Sequence, residues 1–179
     1  MSPHKDNFNL WFRKIIENLY ENENAGFPLL MLTFPLLERY LRSKSEIFDS
    51  PPLGKPFFKA LLNLFPVLRN TEIARKFWQV YRNGILHQAT LSQRKNNDIK
   101  MPDGGLSGDK NYIDIDQSGA FWVNPVEFAK RVIDTIDKDF SNFEARSNSN
   151  HPLATAQKAP DGFNATCGES VRWTPSFKR

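Results

Sequence analysis

The chain has 179 residues, of which 40% are hydrophobic and 25% are charged, and these values predict one globular domain with its own core. The net charge of +4 suggests a polyanionic partner without establishing one. The single cysteine, Cys167, excludes an intrachain disulfide and favours a reducing compartment. No apolar run is long enough to cross a membrane, and the charged N-terminus does not resemble a secretory signal. We therefore expect a cytoplasmic protein without a membrane partner.

The first half of the chain is predicted to be helical because apolar residues recur at helical spacing. The first helix should run from Asp6 or Asn7 to about Glu23, the second from about Gly26 to Ser45, the third from Pro56 to about Phe65, and the fourth from Asn70 or Thr71 to about Leu91. In the first helix the apolar residues that recur at helical spacing are Leu10, Trp11, Ile15, Leu19 and Tyr20. Four aromatic residues are predicted to pack in the core rather than to stack on bases: Phe8, Trp11, Phe12 and Phe34.

The second half begins with a polar, glycine-rich excursion, and we interpret Asp103–Asp109 within it as a flexible loop. A β-hairpin is predicted at about 112–123, followed by a last helix that starts at Asn124–Pro125 and has Phe140 on its inner side. Asp114 and Asp116 are interpreted as the polar side of a strand rather than as metal ligands. We predict neither a metal site nor a cofactor. From Arg146 the composition predicts a mostly disordered tail.

The predicted fold is mainly α. It is an up-and-down bundle of four to five helices with one inserted β-hairpin, formed by residues 1–145, and residues 146–179 are the tail.

The fourth predicted helix carries an arginine, an amide and a histidine close together, at Arg82, Asn83 and His87. Arginine supplies a permanent cation with donors matched to phosphate, and histidine transfers protons in both directions near neutral pH. Asn83 and His87 are four residues apart and should share one ridge of the helix. Arg82 should point away from the core. These residue types suit phosphodiester chemistry without a metal.

An apolar strip is predicted on the far side of the same helix, at Trp78, Leu86 and Ala89. A contiguous exposed apolar patch usually marks an interface. We therefore expect a homodimer in which Trp78 is buried by a second chain and the arginines and histidines of both chains meet near the two-fold axis.

The segment Arg82-Asn83-Gly84-Ile85-Leu86-His87 resembles the signature of the HEPN superfamily, and the order of the helices extends this resemblance over Asp6 to Glu144. The resemblance implies a homodimeric, metal-independent endoribonuclease, often a toxin or antiviral effector, with RNA as substrate and an antitoxin of nucleotidyltransferase type as a candidate partner. It implies that His87 acts as general acid or base and that Arg82 binds the scissile phosphate. Asn83 would orient either Arg82 or His87. The products would carry 2′,3′-cyclic phosphate ends.

Other interpretations of the same residues remain open. A HEPN-like module that keeps the motif can serve only to bind a nucleotide or a protein partner. His87 can equally be a structural histidine and Arg82 a surface cation. Glu38 on the second predicted helix is a candidate supporting residue that would orient Arg82 or His87, although Glu38 and Arg39 are more typical of a solvated helix face.

Overall fold

The computed structural model of the chain describes residues 3–47, 53–88 and 104–145. Most of these residues are helical, and a small three-stranded sheet precedes the last two helices, so the predicted mainly-α class is confirmed. None of the helices in the described ranges is long and apolar enough to cross a membrane. The predicted tail lies outside the described residues.

The helices are α1 (Pro3–Phe8), α2 (Lys14–Asn18), α3 (Gly26–Lys44), α4 (Lys55–Leu64), α5 (Thr71–Trp78), α6 (Gly84–Gln88), α7 (Pro125–Lys138) and α8 (Phe140–Ala145). The strands are β1 (Gly104–Leu106), β2 (Ile113–Ile115) and β3 (Phe121–Val123).

The first predicted helix is present, but it begins at Pro3 rather than at Asp6 or Asn7 and ends at Asn18 rather than at about Glu23. A π-helical turn, Asn9–Arg13, joins α1 to α2, and we call the three pieces together the N-terminal helix. Phe8 and Ile16 are buried, whereas Leu10, Trp11 and Ile15 are exposed. In a straight α-helix Phe8 and Ile16 would lie about 80° apart around the axis. The π turn holds more residues per turn and brings them to the same side.

Of the four aromatic residues predicted to pack in the core, two are buried and two are exposed. Phe8 and Phe34 are in the core, as predicted, but Trp11 is 55% exposed and Phe12 is 38% exposed. Phe12 stacks on Phe8 with ring centroids 6.2 Å apart, which places it at the edge of the buried surface. The interpretation of Trp11 and Phe12 as core residues is wrong.

The centre of the core is Phe34, in the middle of α3. Its ring lies 5.1 Å from Phe128 of α7, 5.6 Å from Trp78 and 6.1 Å from Phe77, measured between ring centroids. The pair α3 and α7 forms the main helix packing of the domain. At its C-terminal end α3 is tied to the residue after α7, because Asp139 accepts a hydrogen bond from the Tyr40 hydroxyl at 3.1 Å.

Two helix starts, those of α5 and α7, follow the predicted caps. The Asn70 side chain accepts hydrogen bonds from the backbone N–H of Glu72 and Ile73 at 3.0 and 2.9 Å, and α5 begins directly after it. Asn124 caps α7 in the same way, with Pro125 in the first turn, where a proline ring is tolerated. The fourth predicted helix is continuous from Thr71 to Gln88 but contains a second π turn, Gln79–Asn83, between α5 and α6. We call this continuous helix the motif helix.

The sheet has the strand order β1-β3-β2. The hairpin of β2 and β3 is antiparallel, as predicted, with Asp114 opposite Trp122. The segment interpreted as a flexible loop contributes a strand instead, because Gly104–Leu106 pairs in parallel with β3. Glycine is required there: a Cβ on Gly105 would lie 2.5 Å from the Trp122 ring, and one on Gly104 would lie 2.6 Å from Val80 of the motif helix.

Tyr81 fastens this sheet to the motif helix. Its hydroxyl donates towards the Gly105 carbonyl at 2.7 Å and the Phe121 carbonyl at 2.9 Å, and it accepts the N–H of Gly105 at 3.1 Å. Burial raises the pKa of Tyr81 well above its ordinary value of 10.0. The neutral phenol is therefore the form that joins β1, β3 and the motif helix.

Replacing Tyr81 with Phe should lower the free energy of unfolding by about 1 to 3 kcal/mol, because buried groups of β1 lose their partner. In the wild type, the contribution of the Tyr81 hydroxyl to the free energy of unfolding should be complete below pH 10.0, the ordinary tyrosine pKa. It should be lost as the pH rises through the higher pKa of Tyr81 in the folded state. Urea unfolding between pH 7 and pH 11 measures both effects. The matched control is Tyr112→Phe, since Tyr112 is only partly buried. Equal losses in the two variants would contradict the role of the Tyr81 hydroxyl.

Candidate functional site

The predicted site lies at the second π turn of the motif helix. Arg82 and Asn83 are its last two residues, and His87 lies on α6, one turn further along. π turns inside α-helices are rare and are frequent at functional sites. His87 belongs to α6, and α6 packs against α3. The three motif residues are thus placed along one surface element, beside the helix that carries Glu38.

Glu38 binds Arg82 directly. The Arg82 Nε lies 2.9 Å from Glu38 Oε2, and the Arg82 Nη1 donates to Asn83 Oδ1 at 3.3 Å. The side chain of Glu38 is 15% exposed and that of Arg82 is 24% exposed. Both are therefore shielded from water enough to hold a defined geometry, and the interpretation of Glu38 as part of a solvated face is wrong.

A second arginine shares the same carboxylate. Arg42, one turn after Glu38 on α3, places its Nε 2.8 Å from Glu38 Oε1. We call Glu38, Arg42 and Arg82 the arginine cluster. Two guanidinium groups thus flank one carboxylate in a part-buried setting, where charges interact more strongly than at an open surface. Such a cluster suits an anion.

Arg42 was missed by sequence reasoning. The only signal for it is a glutamate four residues before an arginine, which is common on solvated helices. The partner that distinguishes this pair, Arg82, is 44 residues further along the chain from Glu38. Only the packing of α3 against the motif helix reveals the cluster.

The orientation predicted for the motif helix needs correction at Trp78. Trp78 is 2% exposed within a single chain, and its ring lies 4.8 Å from Phe57 and 5.6 Å from Phe34, between centroids. Arg82 follows it by four residues and therefore lies one turn along the same side, facing α3 rather than open solvent. The core side of this helix is centred nearer Trp78 than the apolar spacing predicted.

This correction changes the predicted dimer surface. Trp78 has no exposed area for a second chain to cover, so the expectation that its burial depends on one is wrong. Leu86 is half-buried in the single chain. Ala89 lies outside the described residues. The predicted apolar strip is therefore reduced to Leu86 in the part of the chain that the structure describes.

The two aspartates of the hairpin have separate structural partners. Asp114 pairs with Lys110 at 3.3 Å. Asp116 accepts hydrogen bonds from Ser118 and from the Trp122 indole, and these bonds lower its pKa to about 2. Among the described residues, no group of three His, Cys, Asp or Glu side chains is placed to hold a metal ion.

Comparisons with protein-family models, with curated proteins and with solved structures find no match to the chain. The function therefore has to be argued from the site itself.

Proposed function

We propose that this protein is a metal-independent endoribonuclease of HEPN type that cleaves RNA to 2′,3′-cyclic phosphate ends. The observation that carries the proposal is the placement of Arg82 at a π turn, held by a carboxylate at 2.9 Å and accompanied by a second arginine. Within this proposal the protein acts as a toxin or antiviral effector, and an antitoxin of nucleotidyltransferase type is its candidate partner.

The proposed reaction is an internal displacement at phosphorus. His87 takes the proton from the ribose 2′-hydroxyl, the 2′-oxygen bonds to phosphorus, and the bond from phosphorus to the 5′-oxygen breaks. The protonated His87 then gives this proton to the leaving 5′-oxygen, so the chain is cut without consuming water in this step. Arg82 binds the phosphate and stabilises the negative charge that develops on its oxygens. Asn83 bonds to Arg82 and orients it.

Glu38 and Arg42 have supporting roles in this scheme. Glu38 holds the Nε edge of Arg82 and so fixes the plane of the guanidinium group. Arg42 compensates the charge of Glu38, which keeps the cluster attractive to phosphate. Both are positioning residues. The homodimer implied by the resemblance stays part of the proposal, but its contact cannot use Trp78.

One observation favours a second candidate function, a non-catalytic helical module that binds a nucleotide or a protein partner. The carboxylate of Glu38 already neutralises part of the charge of Arg82, as in a structural ion pair. Such a module would use the arginine cluster to bind an anionic group and would cut no RNA.

RNA cleavage in excess EDTA separates the two candidates. The wild-type chain should cut a structured RNA and leave cyclic phosphate ends, and His87→Ala should be slower by at least about a hundred-fold. His4→Ala is the matched control, because it removes a histidine from α1, outside the site, and it should cut at the wild-type rate. Equal cleavage by wild type and His87→Ala, or no cleavage by either, would contradict the nuclease.

A further inference from the structure

The feature that the proposed site leaves unexplained is an exposed apolar surface on the N-terminal helix. Leu10, Trp11 and Ile15 are 52%, 55% and 48% exposed, and Phe12 is 38% exposed. We call the surface of these four residues the N-terminal apolar face. In the described ranges, the large hydrophobic residues that are exposed all lie between Leu10 and Met31. The exposure is concentrated in the first helices of the chain.

The residues of the face lie in neighbouring rows, or ridges, along the helix. Leu10 and Lys14 are four residues apart and lie on one ridge, and Trp11 and Ile15 lie on the next. Asp6 precedes Leu10 by the same step. Along the first ridge the order is therefore acidic, apolar and basic. Phe12 closes the far edge, where it stacks on the buried Phe8.

The area of the face fits one side of a protein interface. With a full side chain exposing on the order of 150 to 250 Å², the exposed fractions give roughly 400 Å² of apolar surface. A stable interface buries about 800 Å² on each partner, and somewhat more than half of that is non-polar. The four residues thus supply most of the apolar part, and the polar residues around them supply the rest.

The charges at the two ends of the first ridge, Asp6 and Lys14, form no ion pair with any other residue in the ranges that the structure describes. Their neighbours differ in this respect, since Lys5 and Arg13 both pair with Asp137 of α7, at 3.0 and 3.3 Å. Asp6 and Lys14 are both exposed, on the ridge that includes Leu10.

We propose that the N-terminal apolar face binds a second copy of this chain, with the two N-terminal helices antiparallel about a two-fold axis near Leu10. Reversing one helix about that point brings Asp6 of each copy opposite Lys14 of the other, so the same ion pair forms twice. A two-fold contact needs only one self-complementary surface, and an apolar centre between opposite charges is such a surface. This contact is separate from the predicted Trp78 strip and does not depend on the proposed nuclease activity.

The first test is the mass of the full chain in solution as a function of concentration, by sedimentation or light scattering. The wild type should move from the mass of one chain to that of two. Trp11→Glu should raise the dissociation constant by about a hundred-fold, because it places a charge at the centre of the contact. Asn63→Glu is the control, since it adds the same charge to an exposed asparagine of α4, outside the face, and it should dimerise normally.

The second test exchanges the charges. Asp6→Lys and Lys14→Asp should each weaken the dimer by about tenfold, because each places two pairs of like charges opposite each other. The double variant should recover the wild-type mass. Circular dichroism of every variant establishes that the helices are intact.

Three results would overturn the proposal. The first is a single-chain mass of the wild type at every concentration, which would mean that something other than a second copy covers the face. The second is a dimer that Trp11→Glu leaves unchanged. The third is a folded double variant that fails to recover, which would exclude the antiparallel arrangement.

Discussion

Arg82→Ala is expected to reduce RNA cleavage by about a hundred- to a thousand-fold, since it removes the donor that the proposed mechanism aims at the phosphate. Arg82→Lys should recover little of the activity, because an ammonium cannot bond to Glu38 and to a phosphate with the planar geometry of a guanidinium. Initial rates with a labelled RNA, in EDTA, measure both. Arg75→Ala is the matched control: it removes an arginine from the same helix, where it lies over the Phe58 ring at 5.1 Å, and should cut normally.

Glu38→Gln distinguishes the proposed endoribonuclease from the non-catalytic binding module. If Glu38 orients Arg82 for catalysis, the amide variant should lower kcat while leaving RNA binding almost unchanged, because phosphate still meets two arginines. If the pair is only structural, the variant should bind anions more tightly and neither protein should cut. Glu72→Gln is the control, because it breaks the exposed Glu72 to Lys76 pair of the same domain. A fall in kcat equal to that of Glu72→Gln would contradict a positioning role for Glu38.

Phe34→Ala should lower the free energy of unfolding by about 3 to 5 kcal/mol, the largest stability effect expected of one substitution in this chain. Phe34 is 0% exposed, and its ring contacts those of Phe77, Trp78 and Phe128, so a cavity would open between α3, the motif helix and α7. Domains of this size are stable by only about 5 to 15 kcal/mol. The variant should therefore unfold at a much lower urea concentration.

The control for that measurement is on the same helix. Phe27 of α3 is 36% exposed, and Phe27→Ala should change the free energy of unfolding by less than about 1 kcal/mol. Comparing two phenylalanines of one helix separates the loss of core packing from the change in helix propensity. Equal effects of the two variants would contradict the central place of Phe34 in the core.

Helix positions were predictable from local signals. Asn70 and Asn124 are caps whose side chains accept backbone N–H groups, and that chemistry is set by residues two or three positions away. The hairpin was predictable for the same reason, since alternating residues flank a turn at Gly119, whose φ is 84°. These elements depend on short stretches of sequence.

The side that each helix buries was less predictable. Both π turns, Asn9–Arg13 and Gln79–Asn83, interrupt the helical spacing from which the inner sides of the helices were derived. Beyond such a turn, side chains are rotated relative to an unbroken α-helix. Trp11 lies within the first of these turns and is 55% exposed, so its prediction as a core residue is wrong.

The strand β1 and the arginine cluster could not be predicted because each depends on distant residues. Gly104 and Gly105 have no side chains that favour a strand, and they form one through β3 and the Tyr81 hydroxyl. Glu38 and Arg82 are brought together by the packing of α3 against the motif helix. The resemblance drew attention to Arg82, whereas the partners of Arg82 are visible only in the tertiary structure.

The anchoring of the sheet through Tyr81 has a consequence for how the site holds its shape. Tyr81 and Arg82 are consecutive residues of one π turn, so the hydroxyl that secures β1 and the guanidinium that meets Glu38 extend from adjacent backbone units. A displacement of one of these residues is therefore transmitted directly to the other. We expect local unfolding of the strands to weaken the contact between Arg82 and Glu38 as well.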